Sequence, residues 1–107
     1  MSNIGGRSIL DLSPGTSVTL AIDPTVQHTQ ARWTIAQTTT LNISGTPVDG
    51  QELTLIVLND GVLPRTLTLG TGLSGIGTIV GTLSKRAILT FLADGGTFYE
   101  RCRTLGL

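Results

Sequence analysis

GQELTLIVLNDGVLPRTLTL, residues Gly50 to Leu69, is the stretch from which the fold is read. In an extended chain successive side chains point to opposite faces, so Leu53, Leu55 and Val57 share one side while Thr54, Ile56 and Leu58 share the other. Both faces are largely apolar. Such a strand must be covered on both sides, by a second layer of its own domain or by a neighbouring subunit. Asn59-Asp60-Gly61 supplies residues that tolerate positive φ and so predicts a turn, Pro64 cannot continue a ladder, and Arg65 to Leu69 returns as a strand.

Upstream, Met1 to Gly6 is small and polar apart from Ile4, and residues 1–7 are expected to form a flexible arm ahead of a single domain over 8–107. Ile9 and Leu10 are the apolar content of a first strand running from Arg7 to Leu12. Ser13-Pro14-Gly15 then predicts a turn. Ser17 to Ile22 alternates cleanly, with Val18, Leu20 and Ile22 inward. Thr25 to Gln30 is polar and reads as a loop, after which Trp33 and Ile35 mark one face of a strand over Ala31 to Ala36. Leu41-Asn42-Ile43 is another alternating segment.

Downstream, Gly70 to Gly81 carries too much glycine for a helix, since each interior glycine costs about 1 kcal/mol against alanine. A structured loop with a short strand at Thr78 to Val80 is expected there. Residues 70–77 read either as a mobile segment that adapts to a surface or as a rigid loop of positive-φ glycines. Arg86 to Ala93 is a second strand with two apolar faces, Ala87, Leu89 and Phe91 against Ile88, Thr90 and Leu92. Asp94-Gly95-Gly96 predicts a hairpin into a last strand over Thr97 to Arg103. About eight short strands without a helical stripe predict an all-β domain, an antiparallel β-sandwich of jelly-roll type.

Only 13% of the 107 residues are charged, against 39% hydrophobic and 4% aromatic, so part of the surface is expected to be covered rather than left in water. Seven basic and seven acidic residues balance. No basic excess points to nucleic acid or to an anionic membrane. No apolar run approaches the roughly 18 residues of a membrane span, and MSNIGGR lacks the apolar core of a signal peptide. A soluble protein made in a cytoplasm is expected. Cys102 is the one cysteine, which excludes an internal disulfide.

Gly70, Gly72 and Gly75 spell a dinucleotide fingerprint, but that motif works only where a helix follows and aims its N-terminus at a pyrophosphate. His28, alone of its kind, has no partner in sequence and reads as a solvent-facing loop residue. Asp23, Asp49, Asp60 and Asp94 each adjoin Pro or Gly and read as turn residues rather than calcium ligands. Asn42-Ile43-Ser44 matches a glycosylation sequon by chance, and Cys102 reads as a small packed hydrophobe. No residue is assigned to catalysis, to a cofactor or to a metal, and no enzyme activity is expected.

Leu53 to Gly61 (LTLIVLNDG), Arg65 to Gly70 (RTLTLG) and the closing Ala87 to Cys102 (AILTFLADGGTFYERC) resemble a pattern found in small β-structured bacteriophage virion proteins, among them head decoration proteins and distal domains of tail fibres. The resemblance implies a non-enzymatic jelly roll assembled as a symmetric oligomer, commonly a trimer. For a decoration or cement protein it implies synthesis in a host bacterial cytoplasm, the major capsid protein as partner and the capsid exterior as location. For the tail-fibre alternative it implies a tip that binds a receptor or carbohydrate. Ile56, Leu58, Ile88 and Leu92 are the candidates for packing between subunits, and Ser2, Asn3, Ile4 and Arg7 those for capsid contact.

Overall fold

The alternation around Leu55 forms the strand β5 (Glu52–Asn59) in a computed structural model that describes residues 6–75 and 77–107. Before it come β1 (Arg7–Asp11), β2 (Ser17–Ala21), β3 (His28–Ile35) and β4 (Thr39–Ser44), and after it β6 (Thr66–Leu69), β7 (Leu73–Ser74), β8 (Ile79–Val80), β9 (Arg86–Asp94) and β10 (Thr97–Thr104). The protein is all-β, and no helix occurs among the described residues. A six-stranded sheet runs in the order β1-β3-β5-β9-β10-β7, and a four-stranded sheet in the order β2-β4-β6-β8.

The antiparallel jelly roll expected from sequence is not the architecture. Three successive turns of the chain each place one strand in each sheet, β1 with β2, β3 with β4, β5 with β6, and like strands stack in parallel register. This is a β-solenoid of three rungs. Ser13-Pro14-Gly15 does not fold the chain back beside itself, as a hairpin turn would, but carries it across to the other sheet. The return comes only at the far end, where β8 and β9 run antiparallel to β6 and β5. The β9–β10 hairpin forms as the sequence predicts, with Gly95 (φ 61) and Gly96 (φ 85) as its two-residue loop between paired Asp94 and Thr97, whereas Arg65 to Leu69, expected to return beside Leu53 to Leu58, lies in the other sheet as β6.

The core lies between the two sheets as columns of stacked side chains. Ala31, Leu55 and Leu89 are in register and fully buried, as are Leu53 and Phe91 beside them. Trp33, Val57 and Ala87 form the next column, and in the four-stranded sheet Val18, Leu41 and Leu69 stand in one row of the same core. Each such aliphatic or aromatic side chain removed from water contributes about 1.5–3 kcal/mol. Trp33 Nε1 is the buried side-chain polar atom without a hydrogen-bond partner among the described residues.

A solenoid turn bends the backbone out of both ladders, so its N–H and C=O groups need other partners. Buried amide side chains supply them. Gln51 Oε1 accepts from Val48 N at 2.7 Å, while its Nε2 donates to the carbonyls of Asp23 (2.9 Å) and Val26 (2.8 Å), which ties two successive turns together. Asn59 Nδ2 donates to the carbonyls of Asp60 and Leu63, both at 2.8 Å, and Oδ1 accepts from Arg65 N at 2.7 Å. Neither Asn59 nor Gly61 has positive φ; that turn is organised by a side chain instead.

Two further expectations change. Ser2, Asn3 and Ile4, with the rest of residues 1–5, lie outside the described residues; Arg7 opens β1, where the first strand is expected to begin, and so stands in the ladder rather than in an arm over 1–7. His28 to Gln30 belongs to β3 rather than to a loop, with Thr29 buried among the core residues. Gly70 to Gly81 is a strap pinned to its neighbours: Gly70 N donates to Leu41 O at 2.7 Å, Phe98 N to Gly72 O at 2.9 Å and Gly81 N to Arg65 O at 2.9 Å. A Cβ on Gly70 would lie 2.8 Å from the Leu41 carbonyl, and one on Gly72 2.7 Å from the Ile43 side chain. Close approach therefore accounts for these glycines, and β7 and β8 follow where a dinucleotide site needs a helix.

Candidate functional site

Stacking in register turns the period-two pattern into a grid on the outer face of the six-stranded sheet. One row across the strands is Asp11, Arg32, Ile56 and Ile88; the next is Thr34, Leu58 and Arg86. Toward the other end of the same face lie Arg7, His28, Glu52, Leu92 and Tyr99. All four subunit-packing candidates thus point outward from one sheet. Ile56 stands opposite Ile88, and these two with Leu58 are partly buried in a shallow groove of about 550 Å³, edged by Arg32, Arg86 and Pro14. Leu92, 40% exposed, is separate from the groove and sits opposite Glu52.

Among the described residues several charges on this face, though not Arg7 or Arg86, are paired within the chain. Arg32 Nε donates to Asp11 Oδ1 at 2.5 Å, and this hydrogen bond holds the Asp11 carboxyl below the usual carboxylate range. Arg101 reaches Glu52 at 3.0 Å, and His28 Nδ1 lies 4.0 Å from the other oxygen of the same carboxylate. His28 Nε2 is within 2.9 Å of Thr54 Oγ1 on the adjacent strand. Exposed pairs of this kind contribute little to stability, because water and salt screen them and holding two long side chains costs entropy. Their effect here is to leave a face with apolar floor and few uncompensated charges.

The other residues singled out in sequence are dispersed. Asp23 Oδ1 accepts from the backbone and hydroxyl of Thr25, Asp49 Oδ1 from Gly95 N, and Asp60 takes both ends of the Arg65 guanidinium, so three of the four aspartates serve turns. Cys102 is exposed, not packed, beside a register shift in β10. Among the described residues no three His, Cys, Asp or Glu gather as a metal site would require. No helix among them is long and apolar enough to cross a membrane. Sequence reasoning did not find Arg32 and Arg86 as the groove edges. The available signal was their outward position next to Ile56 and Ile88, and it becomes legible only once the parallel register is known.

Comparison with family models, with curated proteins and with solved structures returns no match to this chain.

Proposed function

We propose that this protein is a non-enzymatic structural component of a bacteriophage particle, a decoration protein that binds the outside of the capsid. The observation that carries the reading is the outer face of the six-stranded sheet, where Ile56, Leu58 and Ile88 form an apolar floor and the adjacent Arg32 is already paired with Asp11. Such a face gains by being covered with protein. The face joins three copies into a homotrimer, and residues ahead of β1, Ser2, Asn3 and Ile4, contact the major capsid protein. A distal tail-fibre domain is the second reading. It is favoured by the parallel register of successive rungs, a stacking that can be continued along one axis into a rod.

The test is sedimentation of the purified protein at micromolar concentration, followed by electron microscopy with purified heads. Association in multiples of three copies, with the threefold step lost in Ile56→Lys, and regular density on the outside of heads are expected. A wild-type mass unchanged by Ile56→Lys rejects the face as the trimer contact, and bare heads at saturating protein reject decoration.

A further inference from the structure

The two ends of the solenoid are unlike. At the far end the edge strands β7 and β8 have two residues each, and short edges resist further pairing. At the near end both sheets stop on five-residue strands, β1 and β2, each paired on one side only among the described residues. Neither contains proline or a bulge, and the two charges on β1, Arg7 and Asp11, are of opposite sign, so they do not repel a strand of the same sequence run antiparallel.

Backbone direction alternates along a strand, and the ladder with β3 shows which groups face outward. Gly6 O accepts from His28 N and Leu12 N donates to Arg32 O, so even-numbered residues bond to β3. The N–H and C=O groups of Arg7, Ile9 and Asp11 therefore point away from the sheet at the open edge. Thr40 N to Thr16 O and Ile22 N to Ser44 O place β2 the same way, with Ser17, Thr19 and Ala21 facing its free edge.

We infer that the open first rung pairs with the first rung of a second copy, β1 against β1 in antiparallel register about a two-fold axis through Ile9. That register makes Ile9 face Ile9 as a hydrogen-bonded pair and sets Arg7 of each copy opposite Asp11 of the other. Every outward N–H and C=O of the three residues then has a partner. The sequence Arg-Ser-Ile-Leu-Asp is self-complementary in charge under this operation, as a two-fold interface requires. Ile9, 56% exposed in one copy, is placed against its own counterpart. With the axis normal to the sheets, β2 meets β2 in the same antiparallel sense, and its outward side chains are small and uncharged. Both sheets then continue across the junction.

This contact uses an end of the solenoid and is independent of the groove at Ile56. The test is the mass of the full chain by sedimentation at micromolar concentration. Ile9→Pro removes an outward N–H that no bond inside the chain needs, so the variant keeps its β-sheet circular dichroism while its mass falls to half that of wild type. This holds whether the groove makes trimers or not. Arg7→Asp and Asp11→Arg each place like charges across the junction and are expected to weaken it about tenfold. Mixing the two variants restores pairing, because every 7–11 contact in the mixed complex is again between opposite charges. A folded Ile9→Pro protein with wild-type mass overturns the inference. If that variant does not fold, failure of the mixed variants to associate more tightly than either alone overturns it.

Discussion

Asn59 shows how a single residue can be located by sequence and still be misread. Its neighbours predict a turn, and a turn is there, but the residue is 2% exposed and acts through three hydrogen bonds of its side chain rather than through positive φ. Gly81 belongs to the same arrangement. A Cβ there would meet Cβ and Cγ of Asn59 at 3.0 Å each and would press on its Oδ1, and Asn59 cannot withdraw without releasing Arg65 N. Gly81→Ala is therefore expected to cost about 2–3 kcal/mol, at the upper end for overpacking, read from urea midpoints. Gly15→Ala is the control. Its Cβ meets only Ser17 backbone at 3.5 Å, and the change is expected to stay within about 0.5 kcal/mol.

At the scale of the element, the turn between β5 and β6 is closed a second time by the Asp60–Arg65 pair, 2.8 and 3.1 Å across its two contacts. Hydrogen bonds from Arg65 are the main cause that holds the Asp60 carboxyl below the usual carboxylate range. A carboxyl depressed in the folded state contributes stability above its unfolded value, and that contribution is lost as pH falls through the folded one. Asp60→Asn is expected to be less stable than wild type at neutral pH. The difference should narrow as the pH is lowered below the usual carboxylate range, in urea titrations of both proteins. The strands β5 and β9 were legible because both their faces are apolar. The start of β3 was not, since His28, Thr29 and Gln30 are polar and their place in the ladder comes from register with Glu52, Leu53 and Thr54.

For the molecule as a whole, rungs that touch only their neighbours make stability a matter of position along the axis. Leu10 lies in the first rung and is partly buried; Leu55 lies between β3 and β9 and is fully buried. Leu10→Ala is expected to speed amide exchange in β1, at Ser8 and Leu10, while leaving β5 and β9 slow. Leu55→Ala should cost about 2–5 kcal/mol and speed exchange in every strand together, because it opens the centre of the stack. Equal effects from both substitutions in native-state exchange would mean that the chain opens as one unit.

Residues 50–69 by themselves determine an extended chain with two apolar faces, bounded by turns, and the same reading along the rest of the sequence determines an all-β protein. Period two alone sets Ile56 with Leu58, and Ile88 with Leu92, on one face of each strand; since both faces are apolar, that this face is the outward one is decided by the fold. Whether neighbouring strands run parallel or antiparallel does not follow from period two either, because side-chain alternation is the same in either direction along a strand. That choice belongs to the connections, and a turn such as Ser13-Pro14-Gly15 serves equally to reverse a strand or to cross between sheets. Only the tertiary structure, by stacking Arg32, Ile56 and Ile88 in one register, decided that residues distant in sequence share a groove and that the first rung presents a self-complementary edge.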